Sequence, residues 1–194
     1  MTPLSAKPLI RPLDRSLIAD LGRLFESSRA THGCWCMWFI IPVRDYDAGR
    51  GDRNGRAFAG LVESQATPMG LLAYMDGRPV GWVAVGPRSR YARAVKTPTL
   101  RETRRDEDEA VWLVSCFYVL DEFRRRGIAA GLLDEAVAVA SRSGAAAIEG
   151  FPTQGSRITT NDAQVGTEAM FAACGFRVAH RPSSNRVLMR LDLR

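Results

Sequence analysis

The chain has 194 residues, 46% hydrophobic and 25% charged, and its 27 Lys and Arg against 21 Asp and Glu leave a net charge of +6. That length and balance predict one compact domain over residues 1–194, and the scattered glycines and prolines with no visible repeat exclude collagen-like, low-complexity and solenoid chains. The longest apolar run, Ala110 to Leu120, is far short of the roughly 20 residues a membrane span needs, and the first residues carry Lys7, Arg11, Asp14 and Arg15 where a signal peptide would be apolar, so a cytoplasmic protein with no membrane partner is expected.

Taken in chain order, Pro8 to Pro12 reads as a short strand. Asp14 then precedes Leu17, Ile18, Leu21, Leu24 and Phe25 at helical spacing, which predicts a helix ending near Ser28. A loop rich in Cys and Trp, HGCWCMWFIIP, leads to a second helix from about Asp52 to Ser64. GLLAYM and PVGWVAVGP flank Asp76-Gly77-Arg78, and Asp-Gly between two apolar runs predicts a tight hairpin. The stretch from Arg88 to Glu109, with seven basic and five acidic residues, reads as a long polar excursion of the kind that forms lids.

VWLVSCFYVL follows as a buried central strand, and Arg124-Arg125-Arg126-Gly127 opens a helix whose stripe is Ile128, Leu132, Ala136, Val139 and Ala140, stopped by Gly144. AAIEGF is the next strand. A polar loop, a short helix ending at Cys174-Gly175, and the hairpin FRVAHR–RVLMRLDL complete the chain. An antiparallel hairpin followed by alternating strands and helices predicts an α/β (α+β) fold: a mixed sheet flanked by helices.

Cys34, Cys36, Cys116 and Cys174 are too few and too irregular for a disulfide framework. Cys34 and Cys36 lack the spacing of a structural zinc pair, and only His32 stands near them, so no metal site is expected. The net charge favours a polyanionic ligand, including cofactor phosphates, against the plainer reading of a solvated arginine surface. A nucleic-acid partner would rest only on that charge and on the arginines from Arg88 to Arg105, and is disfavoured.

The chemistry concentrates at Arg124-x-x-Gly127-x-Ala129. A turn opening a helix leaves main-chain N–H groups unpaired, and small residues there let a bulky anion approach the backbone. A basic turn that merely caps a helix has the same short pattern. Neither GxxxxGK[ST] nor GxGxxG occurs.

The run VWLVSCFYVLDEFRRRGIAAGLLDEAVAVA resembles the strand–loop–helix of the GNAT acyltransferase superfamily, whose signature of Gln or Arg, two residues, Gly, one residue, Gly or Ala falls on Arg124, Gly127 and Ala129. GRPVGWVAV upstream and MFAACGF downstream extend the resemblance from about Gly70 to the end, and HGCWCMW is similar to a segment of a bacterial subgroup. The resemblance implies a mostly antiparallel central sheet with splayed central strands. It implies acetyl-CoA as donor, its pyrophosphate at Arg124, Arg125, Arg126, Gly127, Ile128, Ala129 and Ala130, and its pantetheine between VWLVSCFYVL and AAIEGF along Phe117, Tyr118 and Val119. An N–H near Val119 would hold the acetyl carbonyl while an amine acceptor attacks directly in a ternary complex. Dimers are common among proteins resembling this one, so a homodimer is allowed.

Two departures follow. The tyrosine that many members use as acid falls on Phe171, and the glutamate that others use as base falls near Leu113, with Ser115 the nearest polar group. Glu149, a carboxylate in an apolar strand, is expected to serve catalysis or acceptor-amine binding, or else to be the partner of a neighbouring arginine. Cys34, Trp35 and Trp38 are placed by the resemblance at the acceptor pocket, with the Arg88–Glu109 excursion as its moving rim; Tyr118 alternates toward the core, and Asn161 and Thr167 are assigned near the cofactor. The missing acid and base leave a second reading open, a CoA-binding sensor or regulatory module without transfer.

Overall fold

The computed structural model describes residues 7–28, 31–101, 103–154 and 163–193. Among these, seven strands form one sheet in the order β1-β2-β3-β4-β5-β7-β6. The strands are β1 (Leu9–Pro12), β2 (Gly70–Met75), β3 (Arg78–Pro87), β4 (Val111–Val119), β5 (Ala147–Gly150), β6 (Arg177–His180) and β7 (Leu188–Asp192). Only β4 and β5 run parallel; the other neighbouring pairs are antiparallel. The helices are α1 (Ile18–Glu26), α2 (Val43–Ala48), α3 (Asp52–Ser64), α4 (Ile128–Arg142) and α5 (Glu168–Ala173).

Local chemistry accounts for the boundaries. Asp14 accepts from the Ser16 N–H at 2.8 Å and so opens the first helical turn. Asp76 and Gly77, at φ 49° and 77°, supply the two left-handed residues that a tight hairpin turn requires between β2 and β3. α2 carries one buried residue, Tyr46, in six, too short a stripe to show as a helical period in the sequence.

Alternate residues of β3 face opposite layers. Trp82 packs edge-on to Phe25 and Phe58, which sets α1 and α3 on one face. Its neighbour Gly81 lies under α4 on the other, where a Cβ would stand 2.9 Å from Ile128. β4 sits between these layers with all nine residues buried, and each large apolar side chain there contributes about 1.5–3 kcal/mol.

The Arg88–Glu109 excursion is not a detached lid. Arg88, Tyr91, Ala94 and Leu100 are buried, and the last three join Leu113, Phe151, Val165 and Leu188 in a second apolar cluster. Arg88 ties the segment's two ends together, its Nε 2.6 Å from Asp108 and its Nη2 donating to the Arg104 carbonyl. The Arg93 N–H donates to the Phe39 carbonyl at 3.2 Å, and its Nη1 to the Trp38 carbonyl at 2.8 Å. A charge-rich composition had hidden these inward-facing side chains.

Candidate active site

β4 and β5 run side by side only from Val111 opposite Ala147 to Val114 opposite Gly150. Beyond that they part, and among the described residues the remaining half of β4 has β3 as its one strand neighbour. The Leu120 N–H donates to the Val80 carbonyl at 3.0 Å. The antiparallel alternation then turns the main chains of Tyr118 and Cys116 toward β3 and those of Phe117 and Val119 into the splay. Phe117 and Val119 thus present an open strand edge, with the Val119 carbonyl accepting from Arg124 Nε at 3.2 Å.

Tyr118 does not reach that edge. Its ring meets Phe25 and its hydroxyl lies 3.1 Å from Ser27, in the core. The other wall of the splay is aromatic. Phe171 is fully buried and stands edge-on to Phe117 and Phe176, and it fits because residue 150 is glycine: a Cβ there would lie 2.2 Å from its ring.

The splay leads to the loop before α4. Arg125 and Gly127 are left-handed at φ 58° and 77°, which turns successive N–H groups toward one side. Among the described residues, no main-chain carbonyl accepts from the N–H groups of Arg125 to Ala130, and the first helical bond runs from Gly131 to the Gly127 carbonyl at 2.9 Å. A Cβ on Gly127 would meet nothing within 4 Å, so the cradle is open. Arg124 is held by Asp121 at 2.8 Å, and Arg126 stacks on the Phe123 ring. Two cations beside six free N–H groups and a helix N-terminus are suited to a pyrophosphate.

Ser115 occupies a β-bulge. Cys116 pairs with Ala84 and Val114 with Val85, so Ser115 is the extra residue, fully buried at the point where β4 leaves β5. The sequence reading missed its neighbour Tyr91, itself 1% exposed. Burial pushes the Tyr91 hydroxyl up to about 12, against the opposing pull of Arg90 and Ser115.

Glu149 is the partner of two arginines. One carboxylate oxygen lies 2.7 Å from Arg88 Nη1 and the other 3.1 Å from Arg190 Nη1, with Glu149 only 3% exposed. Both carboxylate oxygens are thus occupied by guanidinium groups. Leu113, its cross-strand neighbour, is apolar and fully buried.

The tryptophan loop divides. Trp35 plugs the space between α1 and α3, touching the positions of Gly22 and Gly55 and meeting Phe25 and Phe58, so its ring is engaged in packing. Trp38 is exposed, with Arg93 stacked 3.5 Å from its ring centre and Tyr46 edge-on. Burial, reinforced by Cys36, raises the Cys34 thiol. Cys36 is fully enclosed, accepts from Trp82 Nε1 at 3.2 Å, and is held well above the ordinary thiol range by its hydrogen bond to Cys116 and then by burial. Neither thiol has the electropositive, accessible setting of a nucleophile. His32 is exposed. Thr167 caps α5, accepting from the Met170 N–H at 3.3 Å, and Asn161 lies outside the described residues. No described helix is long and apolar enough to cross a membrane.

Residues 35–176 match the family described as Acetyltransferase (GNAT) family. No curated relative matches the chain. Among solved structures, a Salmonella typhimurium protein determined with its cofactor acetyl-CoA is similar at TM-score 0.60 and 17% identity, covering 97% of this chain and 95% of its own. The ribosomal-protein-alanine N-acetyltransferase of Brucella melitensis is similar at TM-score 0.58 and 16% identity, over 95% and 99% of the two chains. An N-acetyltransferase of Thermoplasma acidophilum in complex with coenzyme A is similar at TM-score 0.54 and 15% identity, over 96% and 99%.

Proposed function

Because the chain belongs to the acetyltransferase (GNAT) family, we propose that it transfers the acetyl group of acetyl-CoA to an amine by direct attack within a ternary complex. The observation that carries this reading is the continuity of two surfaces: the free N–H groups of Arg125 to Ala130 and the open edge of β4 at Phe117 and Val119. The first accepts a pyrophosphate, the second pairs with an amide-bearing arm, and the distance along the chain between them is fixed by the short turn at Asp121–Phe123. One similar structure holds acetyl-CoA as its cofactor and another is a complex with coenzyme A.

The protein's contribution to the reaction is to position the thioester and polarise it. An N–H of the open β4 edge would donate to the acetyl carbonyl oxygen, and that bond strengthens as the oxygen gains charge in the tetrahedral intermediate. The amine must lose a proton and the departing sulfur must gain one. Thiol release from acetyl-CoA, followed across a panel of primary alkylamines, polyamines and peptide N-termini, tests the reading: amine-dependent release supports it.

A sensor or regulatory module is the second reading, favoured by one observation, that Phe171 and Leu113 stand apolar and fully buried where proton-transfer groups were expected. Acetyl-CoA binding with no thiol release from any amine would select it.

A further inference from the structure

Two of the arginines before α4 are held in different ways. Arg124 is engaged locally: its Nη2 lies 2.8 Å from Asp121, and its Nε donates to the Val119 carbonyl at 3.2 Å. Arg126 has no carboxylate partner among the described residues. Its guanidinium instead lies over the Phe123 ring, 5.3 Å from the ring centre.

The ring itself is fixed. Phe123 ends the short turn Asp121–Phe123, its N–H donates to the Leu120 carbonyl at 2.9 Å, and its half-buried side chain packs against the main apolar core. A second cation, Arg78 at the tip of the β2–β3 hairpin, lies 5.6 Å from the same ring centre, and its Nη2 reaches Glu122 at 2.9 Å. Both carboxylates of the turn are thereby taken by other arginines, Asp121 by Arg124 and Glu122 by Arg78. Arg126 is left with a neutral partner. A carboxylate would cancel its charge, whereas the quadrupole of a ring attracts a guanidinium and leaves it fully cationic. The Arg126 N–H is one of the free N–H groups of the turn, so the guanidinium lies within one side-chain length of an anion bound there.

We propose that Phe123 is a positioning residue for donor binding, its ring holding the Arg126 guanidinium ordered and charged for the phosphates of acetyl-CoA. The inference rests on the acetyltransferase reading and adds to it a residue that acts through another. A long side chain loses rotamer freedom when an anion fixes it. Stacking on Phe123 takes that loss in the free protein, so that binding does not. The Arg78–Glu122 pair supports the arrangement from the hairpin by keeping the Glu122 carboxylate occupied.

Calorimetric titration with acetyl-CoA, with thermal melting alongside, tests this on the wild type, on single variants of Phe123 and Arg126, and on a double variant. Phe123→Leu and Phe123→Met keep apolar volume against the core and remove the ring; whichever melts cooperatively should bind acetyl-CoA about two- to tenfold more weakly than the wild type. Phe123→Tyr, which keeps the ring, should bind as the wild type does. Arg126→Ala should weaken binding at least as much as loss of the ring. The double variant Phe123→Leu/Arg126→Ala should bind no more weakly than Arg126→Ala alone, because the ring acts through the arginine. Wild-type affinity after loss of the ring, or in Arg126→Ala, overturns the proposal. So does a loss in Phe123→Tyr equal to that in Phe123→Leu, or two losses that multiply in the double variant. A wild-type protein that does not bind acetyl-CoA overturns the acetyltransferase reading itself, on which the proposal rests.

Discussion

The Arg88 guanidinium and the Glu149 carboxylate lie 2.7 Å apart with side chains 1% and 3% exposed, and this pair joins the excursion after β3 to the middle of the sheet. Asp108 and Arg190 complete the network, so neither charge is left alone. Removing one partner strands the other in a low-dielectric interior. Arg88→Ala and Glu149→Gln should each lower unfolding free energy by about 3–5 kcal/mol in urea titrations. If Glu149 were instead the base, Glu149→Gln would abolish turnover at nearly unchanged stability.

Trp35 is predicted to act on folding and Trp38 on the surface. Trp35→Ala empties the space between α1 and α3 and should cost about 3–5 kcal/mol. Acetyl-CoA affinity of the protein that remains folded should be unaffected. Trp38→Ala, which loses an exposed stack with Arg93 and an edge contact with Tyr46, should cost about 1 kcal/mol. Equal losses in urea titrations of the two variants would contradict this division.

Asn54 holds the tryptophan loop to α3. It is 1% exposed, and its Nδ2 donates to the carbonyls of Gly33 and Tyr46, each at 3.2 Å. Gly49 is required beside it, since a Cβ there would stand 2.3 Å from Asn54 Oδ1. Asn54→Ala should destabilise by about 1–3 kcal/mol through the loss of two buried hydrogen bonds, the Gly33 and Tyr46 carbonyls keeping the Gly51 and Gly49 N–H groups as donors, and amide exchange at residues 33–46 should accelerate.

Stability should fall on the alkaline side. The Cys36 thiol is held above its ordinary range in the folded protein, so the unfolded chain loses that proton first. The associated stability is complete below about pH 8.5, where an unfolded thiol is still protonated. It then declines as pH rises toward the folded value, by at most about 1.4 kcal/mol per pH unit for this group. Melting temperatures of the wild type from pH 7 to 10 should show the decline, and Cys36→Ala should make it shallower, the Cys34 and Cys174 thiols, also raised, keeping part of the slope; parallel curves would contradict the assignment.

The parts of the fold carried by periodic apolar patterns and turn chemistry were legible in the sequence. Leu17, Leu21, Leu24 and Phe25 marked α1, Asp76-Gly77 the hairpin, and the apolar run at Val111 the central strand. The open turn before α4 was legible because Arg124, Gly127 and Ala129 are close together in sequence. Glu149 could not be assigned from sequence alone, because its partner Arg88 is 61 residues away in a segment whose composition reads as solvated. The burial of Tyr91 and the inward course of Arg90 were hidden for the same reason, since both lie in that segment. Trp35 looked like a pocket wall because nothing local showed that Gly22 and Gly55 make room for it.

The central claim is that the turn before α4 binds the pyrophosphate of acetyl-CoA. Calorimetric titration of the wild type and of Gly127→Glu tests it most directly, since residue 127 faces open space at φ 77° and a carboxylate there repels the anion. Saturable binding by the wild type, lost in the variant while its thermal unfolding remains cooperative, is the predicted result. Binding of equal affinity in both proteins, or none in the wild type, would contradict it.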